Sequence, residues 1–141
     1  MGYTYEYPRP ALTVDIVLFR PGSHHKEVLL IKRMNPPFQK LWALPGGFVD
    51  MNEDLLHAAK RELFEETGIS GITLKQFRAF GDPNRDPRQH TVTIVFTGTL
   101  QDTGQTVKGS DDAAEAAWFM VNELPPLAFD HSMIIKELLN T

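Results

Sequence analysis

Three glutamates crowd the end of one amphipathic stretch. In "LLHAAKRELFEETGI", Glu62, Glu65 and Glu66 follow Leu55, Ala59 and Leu63 at spacings that wind as a helix. At about 100° per residue, Glu66 falls about 40° from Glu62, inside the arc of the apolar side chains, with Arg61 and Glu65 on the neighbouring side. A buried carboxylate is expensive unless it is paired or binds a metal. Like charges one turn apart repel, and acids in the last turns oppose the helix dipole. Three local penalties at one place mark a site rather than a helix that merely solvates its outer face. The chemistry such acids offer is oxygen ligation of a hard divalent ion, Mg²⁺ or Mn²⁺, with room kept for phosphate. A further ligand is available from a backbone carbonyl of "LPGG", such as that of Gly46, because glycines let the chain come close. Arg61 can brace the cluster by pairing with Glu65 or with Glu53.

If the substrate is a polyphosphate, a chain of formal net charge −4 needs a local cluster of cations to receive it. "DPNRDPR" offers Arg85 and Arg88 on a loop stiffened by Pro83 and Pro87, and forked guanidiniums suit phosphate or ribose. The same loop also reads as a turn whose arginines pair with its own aspartates. Arg33, at the end of an apolar run, is a third phosphate candidate. Stacking on adenine would need an aromatic face, for which "YTYEYP", Phe38, Trp42 and Phe129 are available. The five histidines have no metal-ligand spacing; His57 should be solvated, and Asp130 before His131 reads as a helix N-cap.

The elements that must position these groups follow from periodicity. "ALTVDIVLF" (Ala11 to Phe19) and "KEVLLIKR" (Lys26 to Arg33) predict two strands joined by a "PGSHH" hairpin. "MNPPFQKLWALPGG" predicts a loop. A helix is expected from about Asn52 to Thr67, capped by Asp50 or Asn52 and stopped at Gly68. "ITLKQFRAF", "HTVTIVFTGTL" and "EAAWFMV" predict strands, and "HSMIIKELLN" a last helix. Strands joined by hairpins, with helices interspersed but not regularly alternating, predict a mixed sheet with helices packed on its faces. The 141 residues suffice for one domain, spanning 1–141, with no repeat or linker to divide it. With no cysteine, thiolate metal sites and cysteine nucleophiles are excluded. The sequence has no signal-peptide pattern and no run long enough for a membrane span, so a cytoplasmic protein without a membrane partner is expected. The acidic balance argues against a nucleic-acid partner.

Gly47, Glu53 and "RELFEETGI" together read G-x5-E-x7-R-E-U-x-E-E-x-G-U, where U is aliphatic. This resembles the Nudix box, at 47–69, at every specified position. The resemblance implies an α/β/α sandwich of α+β class and metal-dependent cleavage of a nucleoside diphosphate linked to another group. It also implies that Glu62, Glu65 and Glu66 hold the ion, and that a metal-bound water attacks phosphorus. In that family the base varies between residues inside the box and residues on a later loop. In this sequence the later candidate is Glu115 in "GSDDAAEAAWF", beside Asp111 and Asp112, a stretch that also reads as a solvated acidic turn. The catalytic set is therefore Glu62, Glu65, Arg61 and Glu115.

"WALPGGFVD", "DPNRDPRQHTV" and "PPLAFDH" resemble the ADP-ribose pyrophosphatase branch. That branch has a proline a short way beyond the box, which Pro83 and Pro87 straddle. The resemblance implies a small-molecule nucleotide-sugar substrate, ADP-ribose first, giving AMP and ribose 5-phosphate. The alternatives are a housecleaning nucleoside triphosphate pyrophosphohydrolase and a domain that senses ADP-ribose without cleaving it; the intact box carboxylates speak against the second. Many relatives are dimers that complete each other's nucleotide pocket, so a homodimer is compatible with the aromatic N-terminus.

Overall fold

The computed structural model describes residues 2–101, 104–107 and 113–141. The elements run β1 (Ala11–Arg20), β2 (Glu27–Arg33), β3 (Trp42–Ala43), β4 (Gly46–Phe48), α1 (Leu55–Thr67), β5 (Lys75–Phe80), β6 (Thr91–Thr99), β7 (Ala113–Met120) and α2 (His131–Leu139). All seven strands join one sheet ordered β3-β2-β1-β6-β5, with β4 added to β1 and β7 to β2. The sheet is mixed: β1 and β6 run parallel, and every other pairing is antiparallel.

Alternation along β1 decides which helix covers which face. Val14, Ile16 and Leu18 pack with Ala58, Ala59 and Leu63 of α1, while Val17 and Phe19 pack with Ile134 and Ile135 of α2. A strand covered on both faces must be apolar at nearly every position, which is why "VDIVLF" reads as a continuous run. Asp15 is the exception, and it sits in the site. The expected sandwich of helix, sheet and helix is therefore the observed architecture.

One feature of the sheet makes the pocket. β1 and β2 pair only beside their hairpin, at Phe19↔Val28 and Arg20↔Glu27. Beyond it they part, β1 taking β4 as neighbour (Asp15↔Gly46) and β2 taking β3 (Ile31↔Ala43). Leu44 and Pro45 thread the gap, where the Ile16 N–H donates to the Pro45 carbonyl at 2.9 Å.

Three local expectations need correction. The helix begins at Leu55, not near Asn52, because Asn52 has a left-handed φ of 67. The cap is Asp54, whose carboxylate accepts from the Leu56 and His57 N–H groups at 3.1 and 3.4 Å. The loop before α1 contains two short strands, whose two- and three-residue lengths are too brief for periodicity to register. Asp130 takes the N-cap position of α2 as expected, but it makes no side-chain capping bond, since its carboxylate is bound to Arg85 instead. The stop at Gly68 is as expected: with φ 79 it ends the helix and donates to the Phe64 carbonyl at 2.8 Å.

Candidate active site

The acidic end of α1 is organised by one guanidinium. Arg61 Nε and Nη2 donate to the two oxygens of Glu53 at 2.6 and 2.8 Å. Its Nη1 donates to Glu62 Oε1 and to Glu65 Oε1, both at 2.8 Å, and Nη2 reaches the Phe48 carbonyl at 3.2 Å. Arg61 thus pairs with both acids expected of it, and with Glu62 as well. The electrostatics follow. The bonds from Arg61, with the Asp50 N–H, hold Glu53 well below the usual carboxylate range, and the same acids hold Arg61 above its ordinary value. Glu62 is pushed up, chiefly by burial, with Arg61 opposing. His57 points outward as expected, its ring against Glu53 at 2.8 Å.

Two glycines bring β4 against these acids. The Gly46 N–H donates to Glu66 Oε1 at 2.7 Å, so Glu66 is oriented as well as half-buried. At Gly47 a Cβ would stand 2.6 Å from the carboxyl carbon of Glu62. Any side chain there would displace that carboxylate. Glu62 and Glu66 are therefore seated on the backbone of β4 at Gly47 and Gly46. The donor set is all oxygen and carries more negative charge than Arg61 neutralises, which fits a hard divalent cation. Among the described residues no three acids or histidines close on one point as a metal cage. Hard divalent cations that act on phosphates are commonly held by one or two carboxylates, with water and substrate oxygens completing the shell.

Beside the acids lies a cleft whose lining brings Gly46, Glu66, Arg33, Arg85 and Arg88 together with Asp15, Phe129 and His131. The two loop arginines are each matched to an acid. Arg88 Nε and Nη2 bind Asp86 at 3.1 and 2.8 Å, yet its side chain stays 38% exposed. Burial alone would raise Asp86, but the hydrogen bonds from Arg88 outweigh it and leave Asp86 lowered. Arg85 is only 4% exposed and grips Asp130 with Nε and Nη2 at 2.9 and 2.7 Å. Desolvation lowers its affinity for the proton, and Asp130 more than restores it. Arg33 Nε is held by the Pro37 carbonyl at 2.7 Å.

Glu115 does not line this cleft; it is exposed on β7, where the pairing with β2 slips between Ile31 and Arg33. Asp111 and Asp112 lie outside the described residues. Of the aromatic candidates, Phe129 lines the cleft with Phe38 edge-on to it at 4.8 Å, and Trp42 packs into the core against Phe119. Tyr3, Tyr5 and Tyr7 are exposed and away from the cleft lining.

Sequence reasoning missed the floor of the cleft. Asp15 Oδ2 accepts from Thr93 Oγ1 at 2.6 Å and lies 3.9 Å from Arg85. His131 Nδ1 accepts from the Leu44 N–H at 3.0 Å, which leaves its Nε2–H turned toward Asp15 Oδ1, 3.6 Å away. One signal was available: a lone aspartate inside "TVDIVLF" must be matched when both faces of its strand are buried.

A model of the NUDIX domain matches residues 9–138. The chain belongs to the Nudix family. It is 44% identical over 131 residues to an ADP-ribose pyrophosphatase of Methanocaldococcus jannaschii, covering 93% of this chain and 74% of that one. It is 35% identical over 138 residues to the ADPR responsive transcriptional repressor NtrR of Acinetobacter baylyi, covering 94% of this chain but only 54% of the repressor. Its Nudix fold matches the NUDIX domain of Shewanella oneidensis NrtR, solved with ADP ribose, with a TM-score of 0.88 at 32% identity over 95% of this chain and 89% of that one. The acids and glycines just described are thus a Nudix box folded around its helix.

Proposed function

We propose that this chain is a metal-dependent pyrophosphohydrolase that splits ADP-ribose into AMP and ribose 5-phosphate. The observation that carries it is the meeting of two features. Glu66, which belongs to the carboxylate cluster of α1 organised by Arg61 and Gly47, lines a cleft that Arg33 and Arg88 line as well. The likeness to the archaeal pyrophosphatase, and to a domain solved with ADP ribose, supports this substrate. Glu62, Glu65 and Glu66, with the Gly46 carbonyl, would hold Mg²⁺, or Mn²⁺ in its place. When bound, the ion neutralises the diphosphate and makes a water acidic enough to attack phosphorus. The chain's own part is to orient and to accept protons. Arg61 fixes Glu62 and Glu65, and the Gly46 N–H fixes Glu66. Glu62, whose Oε1 accepts from Arg61, is the carboxylate assigned to take a proton from the attacking water. Arg88 and Arg33 receive phosphate oxygens, and Arg85 serves the wall of the cleft through Asp130.

The same reading treats residues 1–141 as one domain, acting in the cytoplasm on a small molecule; no helix of the described residues is long and apolar enough to cross a membrane. The likeness to NtrR favours a second reading, an ADP-ribose sensor that does not cleave its ligand. Product analysis with Mg²⁺ in ¹⁸O water, over ADP-ribose, dinucleotides and nucleoside triphosphates, separates the readings. Rapid release of AMP from ADP-ribose is the expected result. Binding without turnover supports the sensor, and faster turnover of triphosphates supports a housecleaning enzyme.

A further inference from the structure

Phe129 has a φ of 53, in the left-handed region that residues other than glycine rarely adopt. Its neighbours are pinned. The Ala128 N–H donates to the Trp42 carbonyl at 2.8 Å, Asp130 is held by Arg85 at 2.7 Å, and His131 accepts from the Leu44 N–H at 3.0 Å. Asp130 and His131 are thereby committed to partners within the fold, while the ring of Phe129 lines the cleft. Phe38, itself at φ 58, packs edge-on to that ring at 4.8 Å. Strained backbone of this kind gathers at ligand clamps.

Two guanidiniums lie against this ring. Arg33, from β2, is 5.0 Å from its centre, and Arg88, from the loop before β6, is 5.7 Å away and also 5.3 Å from Phe48. A guanidinium over a ring keeps its N–H bonds in its own plane, so the contact orients the group without consuming its donors. Among the described residues, Nη1 of Arg88 makes no hydrogen bond, which leaves it a donor for the cleft. Arg33 and Arg88 come from elements far apart in sequence, and the ring is a contact common to both.

We propose that Phe129 is a positioning residue whose ring holds Arg33 and Arg88 at a fixed spacing, so that together they receive the two phosphates of a diphosphate. The proposal rests on the cleft being a diphosphate site. Its test therefore uses inorganic pyrophosphate, whose binding does not depend on ADP-ribose being the substrate. Calorimetry on the full chain should give a Kd about fivefold weaker for Phe129→Leu, the scale of one exposed cation–π contact. Phe129→Tyr, which keeps the ring, should restore binding. In a chain already carrying Arg33→Ala and Arg88→Ala, Phe129→Leu should change the Kd less than twofold. The same fivefold effect there, a Tyr variant as weak as the Leu variant, or no pyrophosphate binding by the wild type would overturn the proposal. Should Phe129→Leu fail to fold, the wild type still decides it: the δ-protons of Arg33 and Arg88 must show upfield ring-current shifts by NMR, and ordinary shifts would refute the contact. Pyrophosphate binding as expected, with no hydrolysis of ADP-ribose, would overturn the proposed function and leave this inference standing.

Discussion

Replacing Arg85 with alanine separates a cation that binds substrate from one that holds the protein together. Its guanidinium makes two short bonds to Asp130 and lies 3.9 Å from Asp15, which is itself bound to Thr93. Truncation leaves Asp130 without its partner and takes a neighbouring cation from Asp15 at the floor of the cleft. Breaking a buried ion pair by removing one partner costs about 3–5 kcal/mol. Asp130 is 16% exposed, so water relieves part of its loss, and about 3 kcal/mol is the expected destabilisation. For a chain of 141 residues that is a fall in Tm of about 10 °C. Urea unfolding with a fitted m-value is the assay. Removing the acid as well, in Arg85→Ala with Asp130→Ala, eliminates one stranded charge and should recover at least about 1 kcal/mol of the loss. A stability change below about 1 kcal/mol for Arg85→Ala, with a large rise in KM for ADP-ribose, would show that the guanidinium is spent on substrate and that the pairing with Asp130 is incidental.

Other outcomes follow from the box and its loop. Glu66→Gln keeps an oxygen for the Gly46 N–H but loses the charge, so turnover should fall about a hundredfold with Tm unchanged or raised; wild-type turnover at saturating Mg²⁺ would refute its role. Gly47→Ala should displace the Glu62 carboxylate, which would stand 2.6 Å from the new methyl, while leaving the fold intact because only a side-chain end must move. Circular dichroism should be native and the Mg²⁺ dependence weakened; native Mg²⁺ dependence would contradict the seating of Glu62 on this glycine. Asp86 is held below its usual value of 3.8 by Arg88, despite the opposing effect of burial. Its contribution to stability is therefore complete well above that pH and disappears as pH falls through the lower, folded value. Between about pH 5 and about pH 2 the wild type should lose stability faster than Asp86→Asn, and parallel curves would refute the pairing.

The parts of this protein that could be read from the sequence are those set by neighbours along the chain. Spacing alone put Glu62 and Glu66 on one face of a helix with Arg61 beside them, and Gly68 at its end, because a helix repeats every few residues. Runs such as "ALTVDIVLF" declared strands, whose burial on both faces the structure then showed. Short-range detail was legible only where it had a period. The turn that sets Asn52 left-handed moved the helix start to Leu55, and β3 and β4 were too brief to register.

Partnership across the fold was decided by tertiary structure. Arg85 could pair within its own loop or bind phosphate, and its choice of Asp130 depends on a residue 45 positions away. Asp15 finds Thr93 across 78 positions, and Leu44 finds His131 across 87. Phe129 reads as any aromatic residue until the backbone sets its ring against two arginines from separate elements. The physical reason is range. Helix and strand propensities act over a few residues and leave their mark in local periodicity, whereas a buried charge takes whichever partner the packed sheet brings within a few ångströms.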